Sequence, residues 1–196
     1  MHLNQYLVVY EKNIMKRIFD ILFSVIGLLI FAVPMTIVCL IIKIKENHPL
    51  IYRQIRLGRN KKPFKLYKIQ TMVDEQVTPI GKYIRECGLD EVPQFFNVLK
   101  GDMSIVGPRA LTCEDVYRMK WNDDYHKIRW SVRPGITGFA QLYAKHLSKA
   151  SYFLDCKYIE ESNMLIDFIL LCITFLINIF GKNRVLKVLF NRIIID

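Results

Sequence analysis

The chain has 196 residues, 52% of them hydrophobic, and a formal net charge of +10. This length suffices for one domain with a core, and the mean hydropathy of +0.19 is high for a soluble domain. The basic balance favours polyanionic partners, namely nucleic acid, anionic lipid or a phosphorylated substrate, whereas the scattered cysteines argue against a disulfide framework or a zinc site.

The first predicted element is a long apolar helix. Residues 21–42 carry no charge and would form a helix about 33 Å long, enough to span a bilayer. The run is too long for the core of a signal peptide. Residues 1–13, ahead of it, show no clear pattern and form either a short lead-in or a surface helix.

Two features favour a re-entrant helix over a simple transmembrane one, which stays open as the alternative. Pro34 lies near the middle of the run, where it removes a helix hydrogen bond and bends the axis. Basic residues flank both ends, and the positive-inside rule places both flanks in the cytoplasm. We therefore expect one domain, with residues 14–44 as a re-entrant membrane helix and residues 45–196 as its cytoplasmic part.

Residues 49–72 are predicted to form a β-hairpin. Strand-like runs at 50–52 and 64–69 flank a turn at Gly58, Arg59 and Asn60. The hairpin is rich in lysine and arginine. Such a run is usually a solvated face, and beside a membrane it would also meet anionic headgroups. A polar connector at 73–78 follows, and then a short helical face leads to Arg85.

The stretch 88–109 contains the adjacent acids Asp90 and Glu91. Pro93 is typical of a first helical turn, so a helix is predicted from Leu89 or Asp90 to just before Gly101. A short buried strand should follow at 103–106, ended by a Gly-Pro-Arg turn at 107–109.

At a helix start and off its apolar face, the two acids would be held ionised by the helix dipole. An ionised carboxylate is a nucleophile toward phosphorus. Two adjacent carboxylates would instead suit Mg²⁺, which takes hard oxygen ligands together with substrate phosphates. Without further context, Asp90 is an ordinary N-cap and Glu91 a solvated first-turn acid.

The second half of the chain adds two arginines beside rigid turns. Gly and Pro fix the backbone at Arg109 and Arg133, so each guanidinium fork is presented to a diphosphate with little loss of entropy. Residues 111–130 read as an exposed amphipathic helix and a loop. Residues 168–180 are apolar but only about 20 Å long as a helix, so we expect a buried or interfacial helix. The tail at 184–192 should rest on lipid.

Four motifs together resemble the bacterial sugar transferase family, the monotopic phosphoglycosyl transferases that begin membrane-linked glycan assembly. They are LDEVPQ at 89–94, NVLKGDMS at 97–104, VGPR at 106–109 and RPGITG at 133–138. The resemblance covers about residues 16–167, and in size the chain is similar to small members such as the bacillosamine-phosphate transferases. The chain departs from the family pattern at four positions, which are Val33, Gln70, Gly88 and Ala110.

The resemblance implies an α+β fold, with a re-entrant helix hairpin, a small, mainly helical cytoplasmic part with a short β-hairpin, and interfacial helices. It implies location at the cytoplasmic face of the bacterial inner membrane. It also implies transfer of a sugar 1-phosphate from a UDP-sugar to polyprenyl (undecaprenyl) phosphate, with release of UMP, and no nucleic-acid partner. Downstream glycosyltransferases are further expected partners.

The resemblance also assigns roles to residues. Asp90 would carry a covalent phospho-sugar, and Asp90 and Glu91 would hold Mg²⁺. Phosphate-binding roles fall on Lys68, Arg85, Arg109 and Arg133. The family also places an acid and a tyrosine at Asp155 and Tyr158. An N-acetylated or diacetamido sugar is expected, read by the loop after Gly138, which includes Gln141, Tyr143 and His146.

Three alternatives stay open at this point. The chain could be a non-catalytic, membrane-anchored binder of anionic lipid or nucleic acid. It could be a structural subunit that recruits other glycan enzymes through its aromatic side chains. It could also be an enzyme of the same class that forms no covalent intermediate.

Overall fold

The structure is a computed structural model that describes residues 14–143 and 149–191. The predictions for residues 1–13, for His146 in the specificity loop and for the last residue of the tail, Arg192, lie outside the described residues.

The first helix, α1, spans Ile14–Lys45, a length of about 48 Å. It continues through Pro34, and the Thr36 hydroxyl donates a hydrogen bond to Ala32 O at 2.9 Å. In the described part of the chain it is the one helix long and apolar enough to cross a membrane. The predicted apolar helix is confirmed, and the re-entrant bend stays a prediction.

The predicted hairpin is confirmed and is longer than its strand-like runs. Strands β1 (Ile51–Leu57) and β2 (Pro63–Ile69) pair antiparallel in a register that sets Ile51 opposite Ile69. Asn60, in the turn, has a φ of 54°, a left-handed conformation that asparagine tolerates. Alternation along β2 buries Phe64 and Leu66 on one face, and Ile69 is buried on the other face in a separate cluster.

The connector after the hairpin has more structure than predicted. Strands β3 (Met72–Val73) and β4 (Gln76–Val77) pair as a second, very short hairpin. Helix α2 (Pro79–Glu86) follows, and its N-cap is Thr78, whose side chain accepts a hydrogen bond from Gly81 N. Proline at the first helical position is favourable because its missing N–H has no helical partner there.

The predicted helix of the 88–109 stretch is divided. A 3₁₀ turn spans Leu89–Glu91, and α3 spans Gln94–Lys100. Gly88, with a φ of 68°, turns the chain into the 3₁₀ segment, and Gly101, with a φ of 89°, ends α3 as predicted. The two acids therefore lie in a tight turn before the helix and not in its first turn.

The predicted strand at 103–106 is confirmed as β5 (Ser104–Val106), but its partner was not predicted. It pairs in parallel with β6 (Gly135–Thr137). The pairing needs glycine, because a Cβ added to Gly135 would lie 2.1 Å from Gly107 N. The VGPR and RPGITG motifs, distant in sequence, therefore lie backbone against backbone.

The remaining described elements are helical, and the core around β5 includes Leu142, Tyr158 and Leu170 from three of these helices. Helix α7 (Met164–Phe180) starts earlier than the predicted apolar segment, and its face buries Asp167 and Leu170. A 3₁₀ turn spans Lys127–Ser131. The helices are α4 (Cys113–Met119), α5 (Phe139–Tyr143), α6 (Lys149–Glu161), α7 (Met164–Phe180) and α8 (Lys182–Asn191).

Buried polar contacts attach the start of α1 to the rest of the fold. Lys16 Nζ lies 2.7 Å from Asp167 Oδ2, and the Tyr158 hydroxyl lies 2.8 Å from Asp167 Oδ1. Asp20 accepts hydrogen bonds from Ser104 Oγ and Ile105 N at 2.8 and 2.9 Å. Because all these groups are buried, the first turns of α1 are part of the core. The mixture of helix and strand confirms the α+β class.

Candidate functional site

The two acids of the 3₁₀ turn meet one cation from the hairpin. Lys68 Nζ lies 2.5 Å from Glu91 Oε1 and 3.7 Å from Asp90 Oδ2. Strand β2 positions Lys68 on the face opposite Tyr67 and Ile69, and Gly88 sets the direction of the acid turn. The structure thus brings together three of the residues predicted from sequence.

Asp90 differs from the prediction in its surroundings. It is buried, with 8% of its surface exposed, and does not lie on a solvated face. Burial raises the pKa of Asp90, Glu91 raises it further, and the charges of Lys68 and Arg85 act against both. The prediction of a dipole-lowered pKa was wrong in direction, because the turn is packed against the protein before α3 begins.

Arg85 lies at the end of α2 and is exposed. Its charge lowers the pKa of Asp90, which shows that it is electrostatically coupled to the acid turn. An exposed guanidinium within the field of a buried carboxylate is available to a phosphate that arrives at the turn.

A cleft of about 260 Å³ opens beside the acid turn, and one wall is cationic. Arg56, Lys68 and Arg109 line it together with Glu91. Arg56 was missed by the sequence prediction, since it lay within a basic run that was read as a headgroup-facing surface. Arg56 Nη1 donates to Ala110 O at 3.1 Å and lies 3.4 Å from Asp115 Oδ2. Burial and the charge of Arg109 lower the pKa of Arg56, and Asp115 acts against both.

Arg109 is exposed, but its backbone is held from within the core. Arg129 Nη2 donates a hydrogen bond to Arg109 O, and the Asp155 carboxylate accepts one from the Arg109 N–H. Arg129 Nε lies 2.8 Å from Asp155 Oδ2, and both side chains are only 2% exposed. Burial raises the pKa of Asp155, and Arg129 counters this. This ion pair therefore fixes the turn that presents Arg109.

Arg133, predicted as a phosphate ligand, contacts the end of α3. Its Nε donates to Gly101 O at 2.9 Å, at the end of α3 opposite the acid turn. The residues that line the cleft in the described part of the chain do not include it. Its contact supports the C-terminus of α3, where free carbonyl groups need donors.

The cleft also has an uncharged wall of polar side chains. Thr137, Gln141, Thr174 and Asn178 line it. A Cβ added to Gly88 would lie 2.8 Å from Asn178 Nδ2, so this amide contacts the turn that carries Asp90. Thr174 donates to Leu170 O at 2.7 Å, so the 2.6 Å contact between the two threonine hydroxyls is donated by Thr137.

A sequence signal for this wall existed and was missed. Asp167, Thr174 and Asn178 interrupt an apolar helix at intervals of seven and four residues, which places them on one helical face. Polar residues aligned in this way mark the side of an apolar helix that faces polar protein groups.

The loop predicted to read the sugar is partly described. Gln141 Nε2 donates to Gly107 O at 3.2 Å and to Gly135 O at 3.3 Å, which fixes the orientation of the amide. Among the described residues, Gln141 Oε1 has no hydrogen-bond partner. Tyr143 packs against the edge of the main core.

The donor set suits a divalent cation only in combination with a substrate. No group of three or more metal-ligating side chains occurs in the described ranges. Asp90 and Glu91 supply two carboxylates that already converge on one cation, Lys68. Mg²⁺ is commonly held by one or two carboxylates plus phosphates and water, so this pair fits the ion in that mode.

Taken together, the site can accept an anionic group and react with it. Three cations and Glu91 line one cleft, and the buried Asp90, whose pKa is raised, lies beside Glu91 and 3.7 Å from Lys68. Charge of this kind neutralises phosphoryl oxygens and stabilises the charge that develops when a phosphate ester is displaced. The uncharged wall is suited to hydroxyl and amide groups of the same ligand.

Comparison with known proteins yields one family. The model of the bacterial sugar transferase family matches residues 11–181. The uncharacterized sugar transferase EpsL of Bacillus subtilis (strain 168) is 34% identical over 175 aligned residues, which cover 82% of this chain and 85% of that protein.

Two further relatives have names that state a reaction. UDP-N-acetylgalactosamine-undecaprenyl-phosphate N-acetylgalactosaminephosphotransferase of Aeromonas hydrophila is 38% identical, with 65% of this chain and 33% of that protein covered. UDP-glucose:undecaprenyl-phosphate glucose-1-phosphate transferase of Klebsiella pneumoniae is 37% identical, with 66% of this chain and 31% of that protein covered. The chain thus spans about a third of the length of these two relatives.

Proposed function

Because this chain belongs to the bacterial sugar transferase family, we propose that it is a phosphoglycosyl transferase. It transfers a sugar 1-phosphate from a UDP-sugar to polyprenyl phosphate, most directly undecaprenyl phosphate. The products are polyprenyl-diphosphate-sugar and UMP. Two relatives are named for this reaction with different sugars.

One observation carries the proposal. A buried aspartate, with a second acid beside it, lies within 3.7 Å of a lysine that lines a cleft with two arginines. A purely structural ion pair has closed surroundings, whereas this cluster borders open space that is also lined by Arg56 and the exposed Arg109. Arg56 is paired with Asp115 at 3.4 Å, so Lys68 and the exposed guanidinium of Arg109 are the groups that suit a diphosphate.

In the first step, an Asp90 carboxylate oxygen attacks the phosphorus that bears the sugar. The bond from that phosphorus to the bridging oxygen breaks, and UMP leaves with the electron pair. The result is an acyl phosphate that links Asp90 to the sugar phosphate. The raised pKa of Asp90 makes the carboxylate more basic and hence a stronger nucleophile once it is ionised.

In the second step, a phosphate oxygen of polyprenyl phosphate attacks the same phosphorus. The bond to the Asp90 oxygen breaks, and the carboxylate is restored with its electron pair. Lys68, Arg85 and Arg109 neutralise the phosphoryl oxygens in both steps, and Arg56 adds to the charge of the cleft. Arg133 supports α3 in this scheme and does not bind phosphate.

Mg²⁺ is proposed as the cofactor, with Asp90 and Glu91 as its protein ligands. When bound, the ion would supply charge neutralisation to the diphosphate. Glu91 is accessible to a metal ion because it lines the cleft and 38% of its side chain is exposed.

The membrane part of the proposal concerns α1. We propose that the chain is monotopic, with α1 re-entrant from the cytoplasmic face of the inner membrane. The apolar exposed face of α1 and the buried tether at Lys16 support a helix whose start is fixed at the catalytic part. Anionic headgroups then face the basic hairpin, and downstream glycosyltransferases receive the lipid product.

We further propose that the sugar carries an acetamido group. Gln141 Oε1 is oriented by two hydrogen bonds of its Nε2 and lies at the uncharged wall, where it is suited to accept the N–H of an acetamido group. The wall's hydroxyl and amide groups are suited to further sugar hydroxyls.

The test is a panel of UDP-sugars with the full chain in neutral detergent, undecaprenyl phosphate and Mg²⁺. UMP release and lipid-linked sugar are measured together. The expected result is equal amounts of both products, with an N-acetylated donor preferred. Absence of lipid product with every donor, from a folded chain, would contradict the proposed function.

A further inference from the structure

An apolar groove of about 600 Å³ lies on the other face of the hairpin from the cleft. Its floor is formed by Phe31, Met35 and other α1 side chains on one side and by Ile69 and Phe96 on the other. Phe96 of α3 is 53% exposed and lines this groove.

The groove has a polar end and an apolar end. Lys100 Nζ donates to the Tyr67 hydroxyl at 3.0 Å and lies 4.7 Å from the centre of its ring. Arg53 lies opposite Tyr67 in the strand register. At the other end, Ile69 packs with Met35 and Cys39. No acid is among the described residues that line the groove, so its charge is wholly positive.

This cationic end is separated from the reaction site. Tyr67 and Lys68 are adjacent in β2 and therefore point to opposite faces of the hairpin. Tyr67 faces the groove, and Lys68 faces the acid turn. A phosphate held between Arg53 and Lys100 would thus lie on the opposite face of the hairpin from Lys68, the cation that contacts Asp90.

The apolar part of the groove is comparable in length with a lipid chain. The α1 residues that line it run from Leu28 to Cys39, about 16 Å along the helix. This length is comparable with that of a phospholipid acyl chain, and the stretch belongs to the helix that is apolar enough for a bilayer.

We propose that this groove binds one anionic phospholipid, with an acyl chain along α1 and its phosphate between Arg53 and Lys100. The bound lipid braces α1 against the hairpin and α3 and is neither donor nor acceptor in the transfer reaction. The proposal relies on the membrane location given above but not on the chemistry at Asp90.

The experiment titrates the full chain, in a neutral detergent, with phosphatidylglycerol or with phosphatidylcholine of the same acyl chains. Native mass spectrometry counts the bound lipids. We expect one tightly bound phosphatidylglycerol per chain and at least about tenfold weaker binding of phosphatidylcholine, because each cation near an anionic headgroup contributes roughly 1 kcal/mol.

Variants distinguish lipid binding in this groove from non-specific association of lipid with the protein. Arg53→Gln with Lys100→Gln should weaken phosphatidylglycerol binding by roughly 30-fold. Ala32→Trp should fill the groove and abolish the binding. Val33→Trp, at an exposed neighbouring position that does not line the groove, and Lys62→Gln, an exposed hairpin cation outside it, should leave binding unchanged.

Equal binding of the two phospholipids, or equal effects of Ala32→Trp and Val33→Trp, would overturn the proposal. So would displacement of phosphatidylglycerol by undecaprenyl phosphate at equal concentrations, since the groove would then serve the acceptor. Asp90→Asn should bind phosphatidylglycerol like the unmodified chain. Lipid binding without any transfer would leave this proposal standing and refute only the proposed function.

Discussion

Two clusters of acidic and basic side chains in this chain contain similar chemical groups but differ in their surroundings. In the buried pair, Arg129 meets Asp155, both 2% exposed, and their remaining polar atoms hold the backbone of Arg109. In the acid turn, Asp90 and Glu91 share Lys68, whose side chain is 28% exposed. The buried pair has one charge of each sign, whereas the acid turn has two acids and borders a cleft with further cations.

The difference teaches how to tell a structural ion pair from a reactive one. Burial raises the pKa of Asp90 and of Asp155 alike, so the shifted pKa by itself does not identify the site. Open space beside the group and charge left unmatched do identify it. In the proposed mechanism, the buried pair acts on the reaction only through Arg109, whereas the acid turn meets the substrate directly.

The largest expected effect on activity comes from Asp90→Asn. Loss of the nucleophile should lower kcat by a factor on the order of 1,000 or more, measured as UMP release. Transfer retained within tenfold of the unmodified chain would contradict the role assigned to Asp90.

The same variant should be more stable at neutral pH. The folded-state pKa of Asp90 is raised above the unfolded value, so ionisation destabilises the fold at a pH above both values. Asparagine removes this penalty. Near pH 7, the thermal midpoint measured with EDTA should therefore be higher for Asp90→Asn than for the unmodified chain. The difference should vanish at a pH below the pKa of Asp90 in the unfolded chain.

The matched change in the buried pair, Asp155→Asn, should mainly affect stability. It leaves the Arg129 guanidinium buried without its counter-charge, which typically lowers the free energy of unfolding by about 3–5 kcal/mol. Denaturant titration measures the loss. A fold as stable as the unmodified chain would show that the pair does not hold the turn at Arg109.

A smaller effect is expected from the two arginines at rigid turns. Arg109→Ala should lower kcat/KM by about 10- to 100-fold with little change in stability, because a hydrogen bond to a charged group is lost at the cleft. Arg133→Ala should lower stability through the free carbonyl at Gly101 and leave kcat/KM within a few-fold. Steady-state kinetics and thermal melts of both variants give the comparison, and a reversed pattern would move the phosphate site to Arg133.

The smallest expected effect is a shift of the pH profile. Lys68 lowers the pKa of Asp90, so Lys68→Met should move the acidic limb of kcat/KM to higher pH. Glu91 raises that pKa, so Glu91→Gln should move the limb to lower pH. The limb of the unmodified chain should lie above the range of an ordinary aspartate. Shifts of both variants in the same direction would contradict the assignment of this limb to Asp90.

Sequence patterns predicted the local elements better than their packing. The hairpin turn at Asn60 and the helix end at Gly101 follow from backbone preferences that short stretches carry. The parallel pairing of β5 and β6 depends on three glycines, at 107, 135 and 138, whose close backbone contacts are set by the whole fold. No local pattern contains such a contact.

The candidate site was predicted only in part, because motifs identify chemical groups but not how distant elements pack together. Lys68, Asp90 and Glu91 were predicted as site residues from the motifs that resemble the family. Arg109 was predicted because its turn is rigid. Arg56 and Asn178 were missed, since Arg56 reaches the cleft beside Ala110 and Asn178 reaches it where α7 packs on Gly88. The buried state of Asp90 was also missed, because a helix start was assumed where the chain forms a tight 3₁₀ turn.

The central claim is that Asp90 carries the phospho-sugar between two half-reactions. The most direct measurement mixes the full chain with UDP-N-acetylglucosamine and Mg²⁺ without a lipid acceptor, followed by intact-mass and peptide mass spectrometry. We expect a stoichiometric burst of UMP and the added mass of one N-acetylhexosamine phosphate on the peptide that contains Asp90, both absent from Asp90→Asn. Transfer to undecaprenyl phosphate by a chain that releases UMP only when the acceptor is present, and never carries the added mass, would contradict the account.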